Sequence, residues 1–324
     1  MINSTDIARV RAKAKSIKAM VIGDAMLDQY IYGTVERISP EAPVPVLSHR
    51  HSEIKAGGSA NVALNLAAWG CQTVLIGLTG DDSNAEVLAG LLENHGIRHH
   101  LFRSPHRPTT IKTRVVAMSH HLLRIDEESL EELREEEEAR AAEHIRETIL
   151  TEKPNLIILE DYNKGFLTEK IIGTVIGTGR ELGVFIGVDP KEKNFFHYRG
   201  VDLFKPNLRE ASQAAHKALR IDDLGDVSRK WREEMKVRAI AVTLGSQGIH
   251  LSTEQDEYRA KPERSIDVVD VCGAGDAVIC ALALGMMSGL TPGDILSLAN
   301  LTGAYVCSHS GVVTVDVHVL EQWA

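Results

Sequence analysis

The chain lacks several common devices for handling nucleotides. No G-x-x-x-x-G-K-[ST] run occurs in its 324 residues, so no P-loop holds a phosphate here. A dinucleotide fingerprint is missing as well. The nearest approach, Gly177 to Gly183, falls at a predicted helix end and not after a strand, which argues against a nicotinamide dehydrogenase. The four cysteines, Cys71, Cys272, Cys280 and Cys307, form no C-x-x-C pair and read as reduced thiols of a cytoplasmic protein. Positive charge is in deficit. The formal net charge of −9 excludes a general nucleic-acid surface, and an anionic substrate then needs a local basic pocket. No apolar run is long enough to cross a bilayer; the longest lies near Ala277 to Met287. The charged stretch before Met20 predicts no secretory leader. Internal repeats and disordered linkers are absent. The histidines are scattered, and the adjacent pairs His99-His100 and His120-His121 suit a surface better than a metal.

What remains is ordinary globular composition, 44% apolar and 25% charged, enough for one large α/β domain or two smaller ones. Short apolar runs predict strands at 19–23, 73–78, 156–159, 184–188 and 239–244. Helical patterns at 60–68 and 168–182 end at Gly70 and Gly183. Alternation of this kind implies a mostly parallel sheet wrapped by helices. Polar residues recur just after the strands: Asp24, Asp161, Asp189, Asn207 and Gly245. Ligands of open α/β sheets bind at that edge. Two stretches break the alternation. Gln29 to His51 is strand-like with Pro40, Pro43 and Pro45, and Thr109 to Arg124 alternates apolar with polar. Together they predict a small antiparallel sheet outside the core, acting as a lid. In the Glu-rich span 126–150, Leu130, Leu133, Ala141, Ile145 and Ile149 can form one helical stripe.

The most telling motif is Asp270-Val271-Cys272-Gly273-Ala274-Gly275-Asp276, which runs into the apolar segment from Ala277. Glycine-rich backbone at a helix start offers unpaired N–H groups to a phosphate. Asp276 would repel that phosphate, so it suits a base that deprotonates a hydroxyl while the amides hold the migrating phosphoryl group. It reads equally as an acidic residue at the start of an ordinary helix. Lys55-Ala56-Gly57-Gly58-Ser59-Ala60-Asn61 can let a sugar pack on bare backbone, with Asn61 on its hydroxyls, or can be a strand-to-helix turn. Asp24 and Asp28 can accept from a polyol, or can be a cap and a surface acid. Asn207 and Glu210 can organise water around Mg²⁺, or can form a capping box. Thr243 to Gly248 can line a nucleotide or turn a hairpin.

Taken together, these motifs resemble the ribokinase-like (PfkB) carbohydrate kinase family over nearly the whole chain. The order is Gly57-Gly58-x-x-Asn61, then Asn207-x-x-Glu210, then Gly273-Ala274-Gly275-Asp276. Within the family, Arg37 to Val46, Leu123 to Asp126, Asp161 to Gly165 and Asp189 to Lys191 look like segments of bacterial heptose 7-phosphate kinases. Many of those are fused to a cytidylyltransferase; this chain looks like the stand-alone form. Cys272 stands where Ser or Thr is usual, which removes a hydroxyl but leaves the backbone amides.

The resemblance implies a three-layer α/β/α sandwich with a mostly parallel central sheet of about eight strands and a β-sheet lid that often pairs two subunits. One domain would cover residues 1–324, with lid segments at about 29–51 and 109–124. The implied reaction moves the ATP γ-phosphate to the anomeric hydroxyl of a heptose 7-phosphate, on the ADP-heptose route to lipopolysaccharide core. The resemblance gives Asp24, Asp28, Gly57, Gly58 and Asn61 to the sugar, and Asp276 to its C1 proton. Backbone at Gly273, Ala274 and Gly275 would meet the transferring group, and Asn207 and Glu210 would arrange Mg²⁺. Lys205, Thr243, Gly245, Gly248 and Asn300 would lie along ATP. K⁺ is a candidate monovalent cation. Lys112, Arg114, Arg124, Lys164 and Lys191 are the candidates for the 7-phosphate. Another sugar or nucleoside kinase of the same family is the nearest alternative, and a non-catalytic sugar-phosphate-binding regulator a more distant one.

Overall fold

The computed structural model describes residues 2–118, 120–264 and 266–324. Its strands are β1 (Lys18–Gly23), β2 (Ala25–Ile38), β3 (Pro45–Gly58), β4 (Gln72–Gly80), β5 (Arg98–Ser104), β6 (Ile111–Ala117) and β7 (His120–Glu127). They continue with β8 (Leu156–Glu160), β9 (Phe185–Asp189), β10 (Leu203–Phe204), β11 (Ala239–Thr243), β12 (Ile249–Thr253) and β13 (Glu257–Ala260). Nine of them form one sheet in the order β13-β12-β11-β10-β9-β8-β1-β4-β5, one strand more than expected. All of its pairings are parallel except those of β12 and β13.

Both faces of this sheet are apolar, and the strand period explains how. Successive side chains point to opposite faces. In β1, Ala19 and Val21 enter one core, whereas Met20 and Ile22 enter the other. The first core is covered by helices Ser59–Trp69, Ala274–Met287 and Pro292–Cys307 among others. The second lies under Glu135–Glu152, Glu169–Glu181 and Leu224–Met235. The expected helices therefore form, and the layers are α/β/α. One stripe differs from expectation. The helix starts at Glu135, and Leu130 lies before it, 61% exposed. Four consecutive glutamates, Glu135 to Glu138, occupy the first turn, where the helix dipole favours negative charge. The buried stripe is Ala141, Ala142, Ile145, Thr148 and Ile149.

The second sheet runs β3-β2-β6-β7. It is mixed, not purely antiparallel: β2 pairs antiparallel with β3 but parallel with β6. Parallel neighbours need a long crossover, and the chain supplies one by passing through β4 and β5 of the large sheet between them.

Register fixes the functional edge. β1, β8, β9, β10 and β11 all point the same way, so their C-terminal ends share one edge of the sheet. Gly23 is opposite Glu160, and Glu160 is opposite Asp189. From the same edge the chain turns into β2, and β3 returns to it at Gly57 and Gly58. Gly58 sits at φ +56, and a Cβ there would collide with the Asp24 carbonyl. An L-residue in that backbone region costs on the order of 1–3 kcal/mol, before any clash. Gly58→Ala is therefore expected to lower the melting temperature by several degrees in a thermal scan. An unchanged melting temperature would show that this turn is not constrained as described.

Candidate active site

The sheet edge gathers an unusual amount of buried charge. Asp276 lies in the first turn of helix Ala274–Met287, is buried, and accepts two hydrogen bonds. Asn61 Nδ2 donates to its Oδ2 at 2.7 Å, and the Tyr162 hydroxyl donates to its Oδ1 at 3.0 Å. Asn61 is itself oriented by Asn65, whose Nδ2 donates to the Asn61 Oδ1 at 3.2 Å and to its carbonyl at 2.9 Å. Burial pushes the Asp276 carboxyl up to about 6, against the pull of the Asn61 hydrogen bond. At neutral pH the group is mostly ionised and only just so, which suits a proton acceptor.

Glu160, Asp189 and Asp276 offer carboxylate oxygens within 4.8 Å of one another. Among the described residues neither oxygen of Glu160 has a hydrogen-bond partner, although the side chain is fully buried. Burial, with Asp189 and Asp276 beside it, holds Glu160 well above the ordinary carboxylate range. Lys205 answers part of this charge, with Nζ 2.6 Å from Asp189 Oδ2. Burial works against its ammonium, yet Asp189 and Glu160 keep the lysine pKa raised. Three converging carboxylate oxygens, with the Glu160 carboxylate left without a donor, fit a hard divalent cation such as Mg²⁺. Asn207 and Glu210, the pair expected to arrange Mg²⁺, make a reciprocal capping box. The second Glu210 oxygen binds Lys191. Lys191 in turn stands over the Tyr162 ring, 5.0 Å from its centroid.

A cavity of about 560 Å³ opens beside this cluster. Thr243, Gly245, Gly248 and Asn300 all line it, together with Ala274 and Gly275. The Thr243 to Gly248 stretch is also the hairpin turn between β11 and β12, so it both turns the hairpin and borders the cavity. Lys205 is not among the lining residues; it lies beneath the glycine turn, near Gly275. Gly273 precedes the helix at φ +77, and the first helical amides after it have no acceptor within the helix. Cys272 adds no charge here, because burial pushes its thiol up to about 11.

The residues expected to hold a sugar are close together but heavily engaged. Asp24 is buried, and its Oδ2 accepts the backbone N–H groups of Tyr162 at 2.8 Å and Lys164 at 3.0 Å. Burial and the nearby Asp161 raise its carboxyl to about 6. Asp28 is paired with Arg114, and a Cβ on Gly57 would collide with the Asp28 carboxylate. The bareness of Gly57 thus serves Asp28 directly. The five basic candidates separate. Arg114 is taken by Asp28, Lys191 by Glu210, and Arg124 by Asp126 on the exposed strand β7. Lys112 and Lys164 converge on Glu128. Sequence reasoning assigned no role to Tyr162, Glu160 or Asn65. The usable signal for Glu160 was an acid closing an apolar strand beside another that ends in Asp189.

Comparison with known proteins bears on the family and the fold. Residues 16–318 match the pfkB family carbohydrate kinase profile. The chain belongs to the pfkB family of carbohydrate kinases. These are phosphotransferases with an alcohol group as acceptor. The bifunctional protein HldE of Methylobacillus flagellatus is 39% identical over 306 residues, covering 94% of this chain and 62% of the relative. HldE of Hyphomonas neptunium is 35% identical over 322 residues, covering 98% of this chain and 65% of the relative. The chain thus spans just under two thirds of the length of these relatives. Among solved structures, phosphofructokinase-2 from Escherichia coli in complex with potassium superposes with a TM-score of 0.77 at 17% identity, over 95% of this chain and 99% of that one. Arabidopsis thaliana ribokinase complexed with ribose and ATP gives 0.71 at 18%, with the same coverage. Both share the ribokinase-like fold.

The electrostatics of Asp276 yield a stability prediction. Its carboxyl is raised from an ordinary 3.8 to about 6, so folding favours the protonated form. The resulting penalty is absent below the unfolded value and grows as pH rises through the folded one, to about 3 kcal/mol at most. Asp276→Asn is therefore expected to gain melting temperature relative to the parent as pH goes from 5 to 8. A difference that does not change over that range would contradict the buried, ionising carboxylate.

Proposed function

We propose that the protein transfers the γ-phosphate of ATP to the anomeric C1 hydroxyl of D-glycero-D-manno-heptose 7-phosphate, giving the 1,7-bisphosphate. This is the step that the resemblance to heptose 7-phosphate kinases implies, on the ADP-heptose route to lipopolysaccharide core in the cytoplasm. One observation carries the reading. Along the turn 161–165, the Tyr162 hydroxyl donates to Asp276, while the Lys164 ammonium meets Glu128, which also holds Lys112. A sugar with a reacting hydroxyl at one end and a phosphate at the other matches that layout.

In this reading Asp24, Asp28, Gly57, Gly58 and Asn61 position the sugar. Asp276 accepts the C1 proton, and Asn61 and Tyr162 aim its two oxygens. The amides around Gly273, Ala274 and Gly275 meet the negative charge of the migrating phosphoryl group, and Lys205 stands beneath them. Thr243, Gly245, Gly248 and Asn300 line the nucleotide. Glu160 and Asp189, with Asn207 and Glu210 farther out, would hold Mg²⁺, which when bound neutralises charge on the nucleotide phosphates. The phosphofructokinase-2 neighbour was solved with potassium, which makes K⁺ the monovalent cation to test. The second sheet is proposed as a lid and as the contact of a homodimer. Met118, Leu123 and Ile125 on it are 74%, 57% and 47% exposed, apolar area that a second subunit can cover.

Two outcomes are expected. Asp276→Asn keeps the fold but loses roughly 10²–10⁴-fold in turnover, read as ADP release. Near-parental turnover would refute the base assignment. An acceptor panel, with and without a terminal phosphate, is expected to show heptose 7-phosphate used far better than free heptose. Equal use of ribose or adenosine would favour another branch of the family.

A further inference from the structure

Two of the five basic candidates are held by one carboxylate. Lys164 Nζ lies 2.7 Å from Glu128 Oε1, and Lys112 Nζ lies 2.9 Å from Glu128 Oε2. The carboxylate therefore bridges two ammonium groups, one per oxygen. All three side chains are shielded, with exposures of 14%, 13% and 20%. Lys112 also reaches Asp126 Oδ2 at 3.4 Å, and Asp126 is itself forked by Arg124. The lysine pair sits against the sugar-side acids. Lys112 is the register partner of Asp28, and the Lys164 N–H donates to Asp24.

The backbone around Glu128 is anchored. Arg107 donates to the Glu131 and Lys164 carbonyls and to Ser129 Oγ, and the Leu133 N–H donates to the Gly165 carbonyl. Among the described residues, the Glu128 carboxylate is fixed only through its two lysines. None of those anchoring bonds runs through that carboxylate, so displacing it leaves them intact.

We propose that Glu128 is a stand-in anion: in the empty protein it fills the place between Lys112 and Lys164 that the terminal phosphate of the substrate takes, and it is displaced when that phosphate arrives. The inference rests on the sugar-phosphate reading above. The swap discriminates by charge. A carboxylate carries one negative charge, a phosphate monoester about 1.5 to 2 with three acceptor oxygens. A monoanion exchanges for Glu128 with no gain, a neutral hydroxyl loses two ion pairs, and a phosphate gains charge-assisted bonds. Without Glu128, two partly buried ammonium groups would face each other, answered by the longer contact of Lys112 to Asp126.

The test uses the full chain and inorganic phosphate as the probe, titrated calorimetrically at constant ionic strength. Glu128→Gln is expected to bind phosphate roughly tenfold more tightly than the parent, since the internal competitor is gone. Adding Lys112→Met and Lys164→Met to that variant is expected to abolish the gain. Unchanged or weaker binding in Glu128→Gln would overturn the proposal. So would a gain that survives loss of both lysines, because the anion would then sit elsewhere. Glu128→Ala gives the same comparison if the amide perturbs folding. The acceptor panel reads the parent proposal separately. A phosphate gain without preference for a phosphorylated sugar keeps the stand-in and rejects the heptose assignment; the reverse rejects only the stand-in.

Discussion

The Asp276 carboxylate, buried at the start of a helix and held by Asn61 and Tyr162, is the interaction on which the site depends. Each partner comes from a different part of the chain: Asn61 from the helix after β3, Tyr162 from the turn after β8. A hydrogen-bonded acid at this junction can exist only if all three elements end at the same place. The parallel register of β1, β8 and β9 brings Tyr162 to that edge, and the return of β3 along β2 brings Asn61 there. Removing a carboxylate from water raises its pKa, and two donors limit the rise. The result is a group that is ionised near neutrality and able to take a proton.

The same edge concentrates more acid than Lys205 neutralises. Glu160, Asp189 and Asp276 crowd together, and Glu160 has no hydrogen-bond partner among the described residues. A fold does not keep an orphaned buried carboxylate for stability, because desolvation costs more than a single neighbouring ammonium returns. The arrangement makes sense where a cation completes it. Family membership, resting on the match over residues 16–318, points the same way.

Much of the architecture was legible in the sequence because apolar runs of four to six residues have few alternatives inside an α/β protein. The runs 19–23, 156–159 and 184–188 are strands, and Thr168 and Gly183 bracket a helix as caps should. The second sheet was legible as strands but not as a topology. The parallel pairing of β2 with β6 joins residues some eighty positions apart, and no local pattern encodes it. Among the site residues, those in glycine-rich turns stood out because backbone chemistry needs glycine there. Partner choice among charged residues did not. Arg114 and Lys112 lie two positions apart on one strand, yet one neutralises Asp28 and the other grips Glu128. Glu160 drew no role because an acid closing an apolar strand is common. Its register opposite Asp189 is what marks it.

The most direct test of the account is the pH dependence of kcat/KM for phosphoryl transfer. A base that must be ionised, with a carboxyl pushed up to about 6, predicts activity that rises with pH and levels off above an apparent pKa near that value. Activity that is flat from pH 5 to 8 would contradict the claim that this carboxylate accepts the proton.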